Sequence, residues 1–390
     1  EIGSGLVGSE MCIRDSSKTY NKARVFKLAC MQGAISRLDL HRRTGLSKMT
    51  ITNLVAEFLE QGMVRMVSTE STGVGRRTEL VEVVADSLLT AGILLTHHGL
   101  YIATVALNGS YRTVHEFPLG PEDTEQTLYD KIETGVGMIL EERAGERFAA
   151  IVISTVGLVD VSSNALELSP FFPGIGRVTA LADKLSQRFA LPVYAENDAN
   201  ISALAELYFG EKPAYRNFIY VQMDEGIGAG LVLDGALFSA GNSFAGEIGH
   251  MTIFHDGVPC KCGNHGCLER YASTTAACAW YGAHRNRQPV SWQKLMELAR
   301  GGDAIALETI QRTGGFLISG LVNLINIVDA ECIYLGDKGA EMLELIQPHM
   351  EQELNERRLQ KKHVSIRPAS FSSDARLRGV AALVIERYGG

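Results

Sequence analysis

The chain has 390 residues, 46% of them hydrophobic and 21% charged, with 40 Gly, seven Cys and a net charge of −8. This length points to two or three domains, and the lack of any uninterrupted apolar run near 18 residues excludes a membrane-spanning helix. A disulfide scaffold is excluded too: Cys260, Cys262 and Cys267 cluster while Cys12, Cys30, Cys278 and Cys332 are scattered, which favours a metal and a reducing, cytoplasmic compartment.

Residues 1–16 are Gly/Ser-rich, without a periodic pattern and without the basic start and apolar core of a secretory signal. They read as a non-native or disordered leader and are set apart from the fold. Residues 17–80 hold eleven Lys/Arg against five acids, a net of +6. The leader carries −2, so residues 81–390 carry −12. A basic head on an acidic body suggests a polyanion-binding module attached to something else.

Within the head, Asn21–Gln32 has helical apolar spacing and closes at Gly33. Ser36 with Asp39 resembles a capping box opening a helix over Ser36–Thr44. Gly45 supplies a tight turn, and Ser47 is placed to cap a third helix running to Gln61. In it Ile51, Leu54, Val55, Phe58 and Leu59 form one apolar stripe. The other face begins with Ser47, Lys48, Thr50, Thr52 and Asn53, short polar or basic side chains suited to a phosphate and base edges in a major groove. Strands are expected over Met63–Val67 and Glu79–Val84, joined by a tip over Ser68–Gly75. Arg76 and Arg77 at that tip could reach a phosphate or minor groove. This is a winged helix-turn-helix over 17–84. A small protein-interaction domain is the bland alternative, in which Lys48 and Asn53 are ordinary solvated residues. The charge excess, turn spacing and wing arginines together favour double-stranded DNA.

The body, 88–390, alternates strands and helices. Ala91–Leu107 is strand material with turns near His98-Gly99 and Asn108-Gly109. Asp130–Arg143 is helical and Ala149–Ser154 is an apolar strand. Leu181–Phe189 is helical, and Val193–Ala195 is a strand entering Glu196-Asn197-Asp198-Ala199-Asn200 before a helix over Ile201–Tyr208. Phe218–Gln222 and Gly230–Leu233 are strands about a Gly-rich turn, and Phe316–Val328 is a buried helix. No short-period repeat is visible.

Chemistry concentrates in four places. Gly157 lacks a side chain where a ligand could approach backbone. Asn197 and Asp198 sit at a strand-to-helix junction. Glu247 and His250 lie in Ala245-Gly246-Glu247-Ile248-Gly249-His250, and the fourth place is the block Cys260–Glu269. Cys-x-Cys-x4-Cys with two glycines lets one tight loop bring three sulfurs to a zinc ion, making a metal loop of 250–267. Of the two nearby histidines, His265 lies inside the loop with its ring expected outward, and His250 is the better fourth ligand. Such a closed site is structural rather than hydrolytic. Asp198, Glu247 and Glu269 with Asn197 and His250 suit a polyol, whose hydroxyls each donate and accept. Zinc on one nitrogen of His250 leaves the other free to donate to a sugar hydroxyl.

On these motifs residues 17–390 resemble the ROK family (repressors, open reading frames and sugar kinases), and in particular its transcriptional repressors of the Mlc/NagC type. The resemblance rests on Glu196–Asn200, Ala245–His250, Cys260–Glu269 and the Gly-rich turn at 226–230. It implies a two-lobed, actin-like (hexokinase-like) α/β fold around a sugar cleft. It implies sugar contacts from Gly157, Asn197, Asp198, Glu247, His250 and Glu269, and zinc ligation by His250, Cys260, Cys262 and Cys267. In the family's kinases the residue matching Asp198 is the base that activates the sugar hydroxyl. Their Asp-x-Gly-Gly-Thr phosphate loop is replaced here by Leu94-Leu95-Thr96-His97-His98, their Gly-Thr-Gly by Asp224-Glu225-Gly226, and a later Gly-Gly by Gly336-Asp337. Carboxylates where ATP phosphates would lie are repulsive, so no catalytic activity is expected. The expectation is a repressor of carbohydrate genes that binds a pseudo-palindromic operator as a homodimer or tetramer and responds to a sugar or sugar phosphate. The competing readings are an ATP-dependent sugar kinase with a DNA-binding head, and a regulator controlled by a phosphotransferase-system subunit.

Overall fold

Cap and turn residues lay out the head. Helix α1 (Leu6–Gln32) leads through strand β1 (Ala34–Ser36) into α2 (Arg37–Thr44), where Ser36 Oγ accepts the Asp39 amide at 3.0 Å. Helix α3 (Lys48–Glu60) opens on Ser47, whose Oγ accepts the Thr50 amide at 3.1 Å. Strands β2 (Val64–Ser68) and β3 (Glu79–Val83) pair antiparallel, and β1 adds to the far edge of β3. Ile51, Leu54, Val55 and Phe58 are buried and Leu59 is half-buried, so the apolar stripe faces the core. The computed structural model describes residues 6–68, 79–97, 99–168, 172–211, 215–238, 246–285, 288–359 and 362–388, with backbone alone for 6–17. Arg76, Arg77 and most of the wing tip lie outside the described residues.

Two expectations change in the head. The first helix begins at Leu6, not Asn21: no Gly or Pro interrupts Ser9–Gln32, and the helical backbone runs on through Gly8 to Leu6. Strand β1 was not anticipated, since three residues show no periodicity and form a strand only by pairing with β3.

A single 3-10 turn at Ala85–Ser87 separates head from body. The first lobe contains β4 (Leu89–Thr96), β5 (Gly99–Ala106), β6 (Tyr111–Phe117), α4 (Glu125–Glu142), β7 (Phe148–Thr155), β8 (Leu158–Asp160), β9 (Ala165–Glu167), β10 (Arg177–Val178), α5 (Leu181–Phe189), β11 (Val193–Asn197) and α6 (Asp198–Phe209). The second contains β12 (Phe218–Met223), β13 (Ile227–Leu233), β14 (Ala236–Leu237), α7 (Glu269–Ala272), α8 (Thr274–His284), α9 (Trp292–Arg300), α10 (Ala304–Ile325), β15 (Cys332–Asp337), α11 (Lys338–Arg357), β16 (Ser365–Pro368) and α12 (Ala375–Arg387). The apolar stretch read over Phe316–Val328 is the second half of the longer α10, which ends at Ile325. Likewise α4 starts at Glu125, where Thr124 caps it.

Each lobe is built on a five-stranded sheet, β11-β7-β4-β5-β6 in the first and β14-β13-β12-β15-β16 in the second. In both, the first three strands are an antiparallel meander and the last two add parallel to its first strand. The lobes therefore repeat one topology that no short-range sequence pattern betrays. Helices α6 and α12 follow the last strand of each repeat and share one core with both sheets and the head, including Leu94, Val152, Ile201, Tyr220, Val384 and Phe26. Gly379 allows their contact: a Cβ there would stand 2.0 Å from the Ile201 carbonyl oxygen. No helix among the described residues is long and apolar enough to cross a membrane.

The head sits on this central layer. Phe26 lies between Phe58 of α3 and Tyr388, with ring centroids 5.6 and 4.4 Å away. Lys27 of α1 pairs with Glu386 of α12, which also accepts the Tyr208 hydroxyl of α6.

Candidate functional site

The strand β13 sets the position of Gly246–His250. A Cβ on Gly246 would lie 1.9 Å from the Ala229 carbonyl oxygen, and one on Gly249 would lie 2.3 Å from that of Ile227. Two glycines are thus required for this turn to pack on β13, and they fix Glu247 between them and His250 directly after. The Cys loop is closed by two isolated bridges, Thr252 with Cys267 and Pro259 with His265. A turn inside it is held by the Cys260 amide donating to the Asn264 carbonyl at 2.8 Å.

The ligating atoms of His250, Cys260, Cys262 and Cys267 all lie within 4.8 Å of one another. Cys260 Sγ is 3.6 Å from His250 Nδ1, and Cys262 Sγ is 3.7 Å from Cys267 Sγ. Around one tetrahedral ion with ordinary metal–sulfur and metal–nitrogen bonds, two sulfurs stand about 3.8 Å apart and sulfur and nitrogen about 3.6 Å. The four donors therefore fit a single tetrahedral metal. His265 is exposed and outside this cluster, as its place within the loop implied.

Glu269, two residues after Cys267, opens α7. Its Oε1 lies 3.6 Å from His250 Nδ1 and 3.1 Å from Cys260 Sγ. Burial raises the Glu247 carboxyl above the ordinary carboxylate value; His250 opposes that shift, and the charges of Asp198 and Glu269 add to it. The charges of His250, Asp198 and Glu269 thus all reach Glu247.

The opposite wall comes from the β11–α6 junction. Here the structure extends β11 to Asn197 and starts α6 at Asp198, three residues before Ile201. Asn197 is the cap: its Oδ1 accepts the Ala199 amide at 2.9 Å, and its Nδ2 donates to the Gly157 carbonyl at 3.2 Å. Gly157 and Asn197 are thereby joined. Asp198 is 7% exposed, and burial raises its carboxyl, opposed chiefly by the charge of Arg376. Gln222 Nε2 donates to Asp198 Oδ2 at 2.6 Å. Neighbouring Glu196 is spent on structure, accepting from the Asn197 amide and Asn200 Nδ2.

Two residues of this wall carry no local signal of function. Arg376, in the first turn of α12, reaches Asp198 at 3.8 Å and Asp337 at 3.9 Å. Gln222 could have been noticed as the polar end of the apolar run Phe218–Val221, but its partner lies on another element. The ends of β4, β12 and β15 carry Thr96, Asp224–Gly226 and Asp337, the three stretches singled out in the sequence.

On the head, Ser47, Lys48, Thr52 and Asn53 are exposed along one face of α3, and Thr50 is half-buried with its hydroxyl 2.9 Å from Ser47 Oγ. Thr52 turns its hydroxyl back to the Lys48 carbonyl, which narrows what it can offer a base edge.

The profile of the ROK family matches residues 90–387. The DNA-binding transcriptional repressor Mlc of Escherichia coli (strain K12) is 26% identical over 389 residues, covering 96% of this chain and 95% of its own. A solved ROK family transcriptional regulator, described as a homologue of that repressor, superposes with a TM-score of 0.81 at 26% identity, over 96% of this chain and 97% of its own. A ROK family glucokinase from Streptomyces griseus, in complex with glucose and AMPPNP, superposes with a TM-score of 0.65 at 26% identity; it covers 76% of this chain and 98% of its own.

Proposed function

The chain belongs to the ROK family, and from that premise we propose that it is a sugar-responsive, DNA-binding transcriptional regulator acting as a repressor. The observation that carries the reading is the pair α6 and α12. Both start at the cleft, with Asp198 and Arg376, and both end at the head, with Tyr208 and Glu386 bound to each other beside Lys27. Ten residues of helix span about 15 Å, so one rigid layer touches the ligand site at one end and the DNA-binding unit at the other. Likeness to a regulator along nearly the full chain, head included, supports the same reading.

In this reading Ser47, Lys48, Thr50, Thr52 and Asn53 enter the major groove, Arg76 and Arg77 serve the wing, and a homodimer spans two half-sites. Gly157, Asn197, Asp198, Glu247, His250 and Glu269 hold a sugar, as the glucose-bound kinase relative suggests for the cleft. The metal is zinc on His250, Cys260, Cys262 and Cys267, with three thiolates and one imidazole in a closed, structural shell. Zinc on Nδ1 leaves His250 Nε2 to donate to a sugar hydroxyl. ATP-dependent phosphoryl transfer is disfavoured, because Asp224, Glu225 and Asp337 replace the small residues that would expose backbone amides to phosphates.

A sugar that binds one lobe arrangement more tightly shifts the head with it, and the coupling equals that difference in affinity. The test is fluorescence anisotropy of the full chain on DNA selected from a random pool, titrated with a panel of sugars. An effective ligand is expected to weaken operator binding by about tenfold or more. Operator affinity unmoved by every sugar would sink direct induction and favour control by a protein partner. In the same assay Lys48→Ala is expected to weaken all sequences alike and lower the salt slope by about one. Asn53→Ala is expected instead to blur preference at one base pair.

A further inference from the structure

The charges around the cleft are one-sided. Glu269 and Asp198 both act on Glu247, and Asp198 and Asp224 both act on Asp337. Five carboxylates therefore run from the metal loop to the ends of β12 and β15. The described cations among them are already engaged. Arg376 is shared between Asp198 and Asp337, and Lys338 pairs with Glu341 at 2.9 Å. His97 faces Asp198, and His250 faces the thiols.

The site is also rich in hydrogen-bond acceptors. Gln222 spends its amide nitrogen on Asp198, and its Oε1 is left buried without a partner among the described residues. A buried acceptor of this kind asks for a donor. Each hydroxyl of a neutral sugar brings one, and its bond to a carboxylate is charge-assisted. A phosphate dianion brings acceptors only, together with charge of the wrong sign. Asp198 and Asp337 are nearly buried, so water screens that repulsion poorly.

We propose that the effector is a neutral, unphosphorylated sugar, and that Asp198, Asp337 and Asp224 exclude its phosphate esters. The inference rests on the reading of this cleft as a sugar site and sharpens it to one ligand class. Asp337 and Asp224 act here as specificity residues at a distance, since neither belongs to the set assigned to sugar contact.

Isothermal titration of the full chain against matched pairs tests it, with and without added magnesium: D-glucose, D-mannose and N-acetyl-D-glucosamine, each beside its 6-phosphate. For whichever sugar binds, the phosphate is expected to bind about tenfold more weakly or worse. In D224N/D337N the gap should shrink to about threefold or less, and D224N alone, at a half-buried position of the turn after β12, should shrink it in part. A phosphate ester binding as well as or better than its parent sugar would overturn the proposal. So would a gap that survives both substitutions. Absence of binding by every member of every pair would remove the sugar site itself, and the inference with it.

Discussion

Replacing Cys267 by Ser is expected to release the metal and cost the chain its sugar response. Cys267 is fully buried, bridges to Thr252, and precedes the buried Leu268 that packs beneath Gly320 of α10. Its loss removes a ligand and loosens the loop that carries Glu269 to the cleft. Metal content measured by plasma mass spectrometry should fall from about one ion per chain to below about 0.1, as expected when one of four donors is lost from a closed site. Sugar affinity should fall by about a hundredfold, because Glu269 and His250 are then no longer held in place. Cys262, which is exposed, should tolerate Ser better. His250→Ala is the sharper probe, since it deletes the one residue proposed to serve both metal and sugar. If that variant kept its zinc and its full sugar response, the link between loop and cleft would be wrong.

Asp198→Asn is the second large effect, and it should separate binding from folding. In the proposed reading the carboxylate accepts a sugar hydroxyl, and the amide supplies a weaker acceptor while adding a donor that faces Gln222. A loss of about a hundredfold in sugar affinity is expected for one charge-assisted bond and its mismatched replacement. Operator binding in the absence of sugar should persist, giving a repressor that no longer lets go. Stability should be kept or raised. Burial holds the Asp198 carboxyl above its ordinary value, so the native chain binds more protons than the unfolded one between the two values. Stability from this group is therefore lost as pH rises through that window, and the loss should be absent in the variant. Urea denaturation across pH 4–8 would check the sign; a variant much less stable than the parent at neutral pH would show that Asp198 is structural instead.

Much of the head was legible because its signals are local. Ser36, Gly45 and Ser47 cap or turn their own neighbours, and the stripe from Ile51 to Phe58 faces inward wherever the helix packs. The metal cluster was legible for the same reason, since three of its four donors lie within eight residues and tight turns leave them little choice. Glu247 and His250 were legible from their own Gly-spaced motif, and Glu269 from its place two residues after the last of these thiols. Helix starts were less legible: α1 and α4 begin before their apolar spacing does, and α10 extends well ahead of its most apolar half.

What the sequence by itself determined is therefore chemistry at short range: which thiols come together with a histidine, which face of α3 stays polar, and where a carboxylate heads a helix. The tertiary structure alone decided what surrounds that chemistry. Arg376 meets Asp198 because α6 and α12 follow equivalent strands of two sheets with one topology, and a repeat of topology leaves no periodic trace in residue type. Gln222 and Asp337 join them because β12 and β15 run parallel and in register, so their ends lie side by side. The same packing of α6 against α12 brings Glu386 under the head. Contacts of this kind depend on the positions of whole elements, and only the folded chain holds those positions at once.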